Sequence, residues 1–259
     1  MAESLADSVA AITREAGALA FAKWRTDFKR WEKSPGNPVC EVDLEVDALL
    51  RTRLSALLPE AAWLSEETAD NADRLSQPLL WVVDPIDGTR DYVRGRSGWA
   101  VSVALVEQGR SVIGVLDAPA RDEHWRAEVG MGAWRNGARL HVGNRTVFAG
   151  SRVPTDGLSK VDSDLVTVTK PNSIALRIAM VAADEADLVA TIRWGNEWDI
   201  AAAVLIASEA GATITNVFGR PFDFNTPSAQ SFGVLATTPG IHEAAVERLA
   251  QRAKVAISK

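Results

Sequence analysis

The sequence predicts a layered α/β fold, with an antiparallel first half and alternating strands and helices in the second. Apolar residues recur at spacings of three and four near the N-terminus, which is typical of an amphipathic helix. A continuous apolar run at 79–83 has the length and composition of a buried strand. Beyond about residue 155 the two kinds of pattern alternate, and this alternation indicates an α/β arrangement.

Two helices are predicted before the first buried strand. The first follows Ser4 and Asp7, whose spacing is typical of an N-terminal capping box. The second is predicted to begin at Asp43 and to end before Pro59, because the Asp43 carboxylate can accept hydrogen bonds from the amides of a first helical turn. A segment rich in proline and glycine at 34–38 separates the two helices.

The next elements are a strand and two hairpins. Strand 79–83 ends at Asp84-Pro85, because proline has no amide hydrogen to donate to a sheet. Residues 101–106 and 112–116 flank a short polar segment and are predicted to pair as a hairpin. Asn136-Gly137 favours a tight turn in a further hairpin. The middle of the chain is therefore predicted to be antiparallel.

The second half is predicted to alternate between strands and helices. We place a boundary near residue 150, so that residues 1–150 form an N-terminal lobe and residues 151–259 a C-terminal lobe. The expected strands are 165–168, 188–192, 212–215 and 232–236, and the expected helices are 174–183, 199–210 and a last one from about Pro239.

Charge and composition exclude several classes of function. The chain has 28 Lys and Arg against 34 Asp and Glu, and this net charge of −6 disfavours a role in binding a nucleic-acid polymer. No apolar run approaches the ~20 residues that cross a bilayer, and the first ten residues lack the basic segment followed by an apolar one that is typical of an export signal. The single cysteine, Cys40, fits a reducing compartment. We therefore expect a cytoplasmic protein without a membrane partner.

Three acidic motifs lie at predicted element boundaries: Glu66-Glu67, Asp84-Pro85-Ile86-Asp87-Gly88-Thr89 and Trp198-Asp199. Taken singly, a Glu-Glu pair is more often solvated surface, and an aspartate such as Asp199 is more often a helix cap. A proline-containing carboxylate turn directly after a buried strand is hard to explain by structure alone, and such loop ends carry function in α/β folds. Together the motifs favour a shared site.

Four carboxylates need a counterion if these motifs converge: those of Glu66, Asp84, Asp87 and Asp199. Two like charges ~4 Å apart repel by roughly 4 kcal/mol at an effective dielectric near 20. Oxygen ligands favour Mg²⁺ or Mn²⁺, and a chain with three histidines and one cysteine offers little to zinc or copper. Two hard cations can hold an attacking water and a phosphoester oxygen together, so the predicted chemistry is phosphoryl transfer. Amides near Gly88 and Thr89 are expected to receive the phosphate.

At these motifs the sequence resembles the inositol monophosphatase superfamily, which has a Glu-Glu pair, then Asp-Pro-Ile/Leu-Asp-Gly-Thr, then Trp-Asp. The similarity also includes 33–43 and Glu209-Ala210-Gly211, so it extends over nearly the whole chain. The resemblance implies a layered αβαβα sandwich and a magnesium-dependent, lithium-sensitive phosphatase. It also implies a homodimer, and direct attack by metal-activated water without a covalent intermediate.

The resemblance also implies roles for individual residues. Glu66, Asp84 and the Ile86 carbonyl would bind one Mg²⁺, and Asp84, Asp87 and Asp199 a second. Thr89, with Glu66, Asp87 and Asn37, would prepare the water, and the amides of Gly88 and Thr89 would hold the phosphate. The family has Asp before a Val-Thr-x-x-Asp stretch, whereas this chain has Asn37, with Cys40 in place of Thr. Because Asn37 replaces this Asp, the sequence leaves open whether a third Mg²⁺ binds. Ser65 replaces the usual Gly, as in some bisphosphate nucleotidases.

The substrate is predicted from residues outside the metal ligands. Inositol monophosphatases usually have Glu seven residues before the Trp-Asp aspartate, where this chain has Ile192 followed by Arg193. A cation suits a second phosphate better than a polyol. The segment Gly88-Thr89-Arg90-Asp91-Tyr92 also resembles the corresponding segment of 3′(2′),5′-bisphosphate nucleotidases. We expect Arg90 and Arg193 to bind a small phosphorylated metabolite, adenosine 3′,5′-bisphosphate, although each is equally compatible with a surface ion pair.

Three alternatives compete with this assignment. A haloacid-dehalogenase phosphatase needs Asp-x-Asp spacing, whereas Asp84 and Asp87 are separated by two residues. Within the superfamily, an inositol-1-monophosphatase or a histidinol-phosphatase is the closest alternative. A catalytically silent phosphate sensor is compatible with Asn37, but the presence of all four acidic residues disfavours it.

Overall fold

The computed structural model describes residues 4–34 and 37–258. Within this part of the chain the helices are α1 (Leu5–Lys23), α2 (Glu41–Leu57), α3 (Thr89–Val93), α4 (Ile174–Ala182), α5 (Ala201–Glu209) and α6 (His242–Ile257). The strands are β1 (Arg30–Ser34), β2 (Asn37–Cys40), β3 (Ala62–Ser65), β4 (Leu79–Asp87), β5 (Ala100–Glu107), β6 (Arg110–Ala118), β7 (Glu123–Glu128), β8 (Gly132–Arg135), β9 (Ala138–Arg139), β10 (Arg152–Pro154), β11 (Val166–Val168), β12 (Leu188–Ala190), β13 (Trp194–Asn196), β14 (Thr213–Thr215), β15 (Gln230–Phe232) and β16 (Leu235–Thr237).

A seven-stranded mixed sheet, in the order β3-β4-β5-β6-β7-β8-β9, forms the centre of the fold. Only its first pair, β3 and β4, is parallel, and the remaining pairs are antiparallel. Its long inner strands β4, β5 and β6 are buried along almost their whole length. Buried strands of this kind have continuous apolar sequences, which is why 79–83 could be recognised.

Helices and a second sheet complete the layers. Helices α1 and α2 pack together on one side of the central sheet, with Trp81, Tyr92 and Trp99 in their shared core. Helices α4 and α5 share a second core with residues of the central sheet. Beyond them lie the small sheet β12-β16-β14 and helix α6. The mixed α/β layered fold that the sequence predicts is confirmed.

The structure confirms the predicted start of α1 and differs from the predicted start of α2. The Ser4 hydroxyl accepts the Asp7 amide at 3.1 Å, and α1 follows it. Helix α2 begins at Glu41, two residues before the predicted start at Asp43. Asp43 still acts as a cap, because its carboxylate accepts the Cys40 amide at 2.7 Å from the third helical position.

Strand β4 does not end at Asp84-Pro85, as the sequence predicted, but continues to Asp87. Its pairing with β5 is regular up to Asp84, is interrupted, and resumes at Asp87 opposite Ala100. The proline is thus accommodated by an irregularity in the ladder, where no amide hydrogen is required.

The second half differs from prediction mainly at element ends. The strand expected at 232–236 is two strands, β15 and β16, because Gly233 adopts a positive φ of 73° between them. Strand β13 was not predicted, and α5 begins at Ala201 rather than 199. The lobe boundary near residue 150 stays a prediction. Across 4–34 and 37–258, no helix is long and apolar enough to span a bilayer.

Candidate metal-dependent active site

Acidic residues from both halves of the chain meet beside the central sheet. Glu66 directly follows β3, Asp84 lies in β4, and Asp199 lies just before α5. Each of the three offers a carboxylate oxygen that is within 4.8 Å of the others. Asp84 is 1% exposed, and the other two side chains are also largely shielded from solvent. The convergence predicted from the sequence is therefore present for these three residues.

The free oxygens of this cluster fit a hard cation. One Asp84 oxygen, Oδ1, accepts the Ile86 amide at 3.0 Å. The other, Oδ2, is buried and has no hydrogen-bond partner among the described residues. A buried acceptor without a donor is costly unless a cation satisfies it. Glu66, Asp84 and Asp199 would therefore hold Mg²⁺, which favours carboxylate oxygens.

The electrostatics of the cluster also favour the binding of a cation. Burial, followed by the neighbouring Glu66 and Asp87 carboxylates, raises the pKa of Asp84 well above its ordinary value. Burial, followed by Asp87 and Glu66, raises the pKa of Asp199 to about 8. In both cases the protein disfavours the charged form, since nearby like charges and lost hydration act in the same direction. A divalent cation would reverse this balance.

Asp87 lies in the same cavity but is held by helix α4. Its Oδ2 accepts the Ser173 hydroxyl at 2.5 Å and the Ala175 amide at 2.8 Å. Burial raises the pKa of Asp87, and these two hydrogen bonds oppose that rise. Asp87 is not in the group of carboxylates that lie within 4.8 Å of one another, so its metal-binding role stays a prediction.

The turn after Asp87 requires glycine at position 88. Gly88 has a φ of 97°, and a Cβ atom there would lie 2.7 Å from the Gly98 carbonyl oxygen and 2.9 Å from the Ser173 amide nitrogen. The next residue, Thr89, donates its hydroxyl hydrogen to the Ile86 carbonyl at 3.0 Å. The Thr89 oxygen is thereby oriented with its lone pairs available as acceptors.

These residues line one cavity of about 400 Å³. It contains every site residue predicted from the sequence except Asn37: Glu66, Asp84, Ile86, Asp87, Gly88, Thr89, Arg90, Arg193 and Asp199. The backbone of Asn37 begins β2, and its side chain lies outside the described part of the structure. Its neighbour Pro38 lines the cavity.

Two site residues were missed in the sequence. Asp43 is 1% exposed, and burial raises its pKa to about 6; its charge in turn contributes to the raised pKa of Glu66. It occupies the acidic end of the Val-Thr-x-x-Asp stretch, which was the available signal. Arg177 lines the cavity from α4. Its helical neighbours are apolar, so periodicity gave no indication that it faces a site.

Lys33 provides the local positive charge beside Glu66 and Glu67. Its Nζ lies 2.6 Å from Glu67 Oε1 and 3.5 Å from Glu66 Oε1. Glu67 is therefore paired with a lysine rather than directed into the acidic cluster. The sequence could not separate the roles of these two adjacent glutamates, whereas the structure does.

Comparison with known proteins identifies the family. Residues 1–254 match the model of the inositol monophosphatase family. The chain belongs to this family. Its members are phosphatases that depend on Mg²⁺ in general, so the protein is a phosphoric monoester hydrolase.

Individual relatives in this family differ in the substrates they are named for. A Thermotoga maritima protein named fructose-1,6-bisphosphatase/inositol-1-monophosphatase is 33% identical over 81% of this chain and 83% of its own length. A Streptomyces coelicolor histidinol-phosphatase is 32% identical over 81% of this chain and 85% of its own. The solved structure of the Thermotoga maritima IMPase superposes with a TM-score of 0.82 at 28% identity, over 95% of this chain and 97% of that one.

Proposed function

We propose that this inositol monophosphatase family member removes one phosphate from a small substrate that carries a second phosphate, with adenosine 3′,5′-bisphosphate as the preferred substrate and AMP as the product. The observation that carries the proposal is a pair of arginines, Arg177 and Arg193, on the wall of the acid-lined cavity. An inositol ring would offer hydroxyl groups at that position, whereas a second phosphate offers a charge.

The two arginines are available for an anion. Neither guanidinium has a carboxylate oxygen within 4.0 Å among residues 4–34 and 37–258. Arg177 is also partly desolvated: burial lowers its pKa, the negative charge of Asp87 opposes this fall, and the charge of nearby Arg193 adds to it. Two neighbouring cations of this kind disfavour each other until an anion lies between them. Guanidinium groups bind phosphate in a bidentate manner, and this supports a second phosphate at this wall.

A second cavity supports a substrate with a ring. Its volume is about 310 Å³, and Arg177 lines both this cavity and the catalytic one. Apolar walls are contributed by Leu158, Leu188 and Ile192. Ile192, which replaces the family's Glu, lines this cavity together with apolar residues and with cations such as Arg248 and Arg252. A nucleoside with a phosphate on each side of its ribose would fit an acid-lined cavity next to one with mixed apolar and basic walls.

The residues of the chain have distinct tasks in the proposed reaction. When bound, Mg²⁺ would neutralise the carboxylates and polarise the phosphoryl group. The backbone amides of Gly88 and Thr89 would hold phosphoryl oxygens, because the positive φ of Gly88 lets the turn approach a ligand closely. The Thr89 oxygen would accept a hydrogen bond from the attacking water and orient it, since its own hydrogen is donated to Ile86.

A second candidate substrate is fructose 1,6-bisphosphate. The Thermotoga maritima relative is named for this activity, and Arg177 and Arg193 could equally bind a sugar's second phosphate. Inositol 1-phosphate and histidinol phosphate are further candidates, from the names of other relatives. A silent sensor is disfavoured, because Glu66, Asp84, Asp87 and Asp199 are all present in the chain.

Four properties are also proposals that follow from the resemblance to the family. These are two Mg²⁺ ions per chain with a third left open by Asn37, inhibition by lithium, a homodimer and a cytoplasmic location. Arg90 lines the cavity and is the further substrate-binding residue proposed from the sequence.

A phosphate-release panel at fixed Mg²⁺ tests the proposed function. It would compare adenosine 3′,5′-bisphosphate, fructose 1,6-bisphosphate, inositol 1-phosphate and histidinol phosphate by kcat/KM. We expect the first to be the best substrate. If fructose 1,6-bisphosphate is best, the second-phosphate site stands and the nucleotide assignment fails. Equal or better turnover of the two singly phosphorylated substrates would overturn both.

A further inference from the structure

We infer that a buried polar bridge between Arg74 and Glu197 sets the spacing between the two halves of the metal site. Glu66 and Asp199 come from distant parts of the chain, yet each has a carboxylate oxygen within 4.8 Å of the other's. The bridge lies in the segments that immediately follow Glu66 and precede Asp199. It uses no cavity-lining residue, so it acts by positioning.

On the Glu66 side, the bridge begins with Arg74, which is 2% exposed. Arg74 pairs with Asp70, with Nε to Oδ1 at 2.6 Å and Nη2 to Oδ2 at 2.9 Å. This pair fixes the loop that follows Glu66. Closer to Glu66, the hydroxyls of Ser65 and Thr68 both donate to Asp47, at 2.5 and 2.7 Å.

On the Asp199 side, the bridge ends at Glu197, which is 1% exposed. Its carboxylate accepts the Asn225 amide at 2.7 Å, the Thr226 amide at 2.9 Å and the Thr226 hydroxyl at 2.5 Å. Its carbonyl oxygen accepts the Ala201 amide at 2.9 Å. Glu197 therefore fixes the start of α5. Asp199 lies between Glu197, which is held by Asn225 and Thr226, and Ala201, the first residue of the helix.

The dipeptide Asn225-Thr226 joins the two sides. Arg74 Nη1 donates to Asn225 Oδ1 at 2.7 Å, and Nη2 donates to the Thr226 carbonyl at 3.0 Å. In return, the Asn225 side-chain amide donates to the Arg74 carbonyl at 3.0 Å. The dipeptide is thus bonded to Arg74 on one side and to Glu197 on the other. Fully satisfied buried networks of this kind rigidify their surroundings.

The substitution that isolates the bridge is Asn225→Gly. Asn225 has a φ of 64°, a conformation that glycine adopts without strain. The variant removes both side-chain bonds to Arg74 and keeps the backbone amide that Glu197 accepts. It leaves no buried charge without a counter-charge, since Asp70 still pairs with Arg74. A matched control is Asn136→Gly, because Asn136 has a φ of 51° and also makes two side-chain bonds, at the opposite edge of the central sheet.

Binding of Mn²⁺ tests the inference without any substrate, so the result is independent of the proposed function. Titration followed by electron paramagnetic resonance counts the ions bound, at a temperature where circular dichroism shows both variants folded. We expect Asn225→Gly to bind Mn²⁺ about 10-fold more weakly, as is typical for outer-shell partners of metal ligands, and Asn136→Gly to bind like wild type.

Two results would overturn the inference. One is wild-type Mn²⁺ affinity in Asn225→Gly, even with a lowered unfolding temperature, since a purely structural network would give that outcome. The other is equal weakening in both variants, which would indicate a general loss of rigidity. If Asn225→Gly does not fold, Arg74→Lys keeps the buried charge and loses the bidentate geometry, and the same weakening is expected of it.

Discussion

The hydroxyl of Ser173 donates a 2.5 Å hydrogen bond to the carboxylate of Asp87. Ser173 also caps α4, since its Oγ accepts the Leu176 amide at 2.9 Å. One side chain thus joins the end of strand β4 to the start of a helix 86 residues further along the chain. Asp87 is thereby fixed by a helix terminus, where negative charge is favoured.

Asp87→Asn should abolish turnover and leave the fold intact. The amide has nearly the same shape and can still accept from Ser173 and Ala175, but it cannot neutralise a cation. We expect kcat to fall by about 100-fold or more, because 100-fold is the upper range for loss of an outer-shell partner of a metal ligand. Phosphate release and a thermal melt on the same preparation check this. Retention of most Mg²⁺-dependent turnover would contradict the assignment of Asp87 to the site.

Asp84→Asn should make the metal-free protein more stable while it removes activity. Burial and the charges of Glu66 and Asp87 disfavour the Asp84 carboxylate, so a neutral isostere relieves repulsion. Each 1 kcal/mol recovered would raise the melting temperature by about 2–4 °C in a protein of this size. Wild type should be stabilised by added Mg²⁺ and the variant should not.

The measurement is a pair of melts, in EDTA and in excess Mg²⁺, for wild type and Asp84→Asn. Ser102→Ala is a useful control, because Ser102 is buried in β5 opposite Asp84 and carries no charge. It should keep the Mg²⁺ response. A variant that melts below wild type in EDTA would show that repulsion within the acidic cluster does not limit stability.

The acidic cluster could be predicted from the sequence more readily than the residues packed around it. The motif from Asp84 to Thr89 combines a buried strand, a proline and two carboxylates, which few other structures require. Asp43 was recognised only as the cap of a helix, although it ends a stretch typical of the family, and Arg177 gave no local signal because its helical neighbours are apolar. Their roles depend on which elements pack against them, and this information is not local in sequence.

Arg177→Met and Arg193→Met should each weaken binding of substrates with two phosphates more than binding of substrates with one. For a bisphosphate, each variant should raise KM about 10-fold or more, because a charge-assisted contact worth roughly 1.5–3 kcal/mol is lost. For inositol 1-phosphate, KM should change little. Arg51→Met, an exposed position on α2, is the control and should affect neither. An equal rise of KM for both substrate classes would indicate that the arginines bind the phosphate that is cleaved.

The stability of the fold in acid is expected to depend on Asp187, a 2% exposed residue outside the active site. Burial alone would raise the pKa of Asp187, but hydrogen bonds from Arg152, with the charge of Arg145, hold it below its ordinary value of 3.8. Arg152 donates its backbone amide at 2.8 Å and guanidinium hydrogens at 2.7 and 3.0 Å. Arg145 Nε donates at 3.0 Å.

A carboxylate whose pKa is lower in the folded state binds its proton more tightly when the chain is unfolded. Its stabilising contribution is therefore fully present above the ordinary value of 3.8 and is lost as pH falls through the lower folded pKa. Asp187→Asn should destabilise the protein at pH 7 by about 1.5–3 kcal/mol, because the hydrogen bonds that Arg145 and Arg152 donate to a buried charged group lose that charge. Once the pH has fallen below the lower folded pKa, the variant and wild type should converge, since folded wild type then also loses the charge. Urea unfolding of both proteins at pH 7 and in acid measures this, with Asp156→Asn, an exposed partner of Lys170, as a control that should change little at either pH. A destabilisation by Asp187→Asn that does not depend on pH would show that shape, and not charge, is what this position contributes.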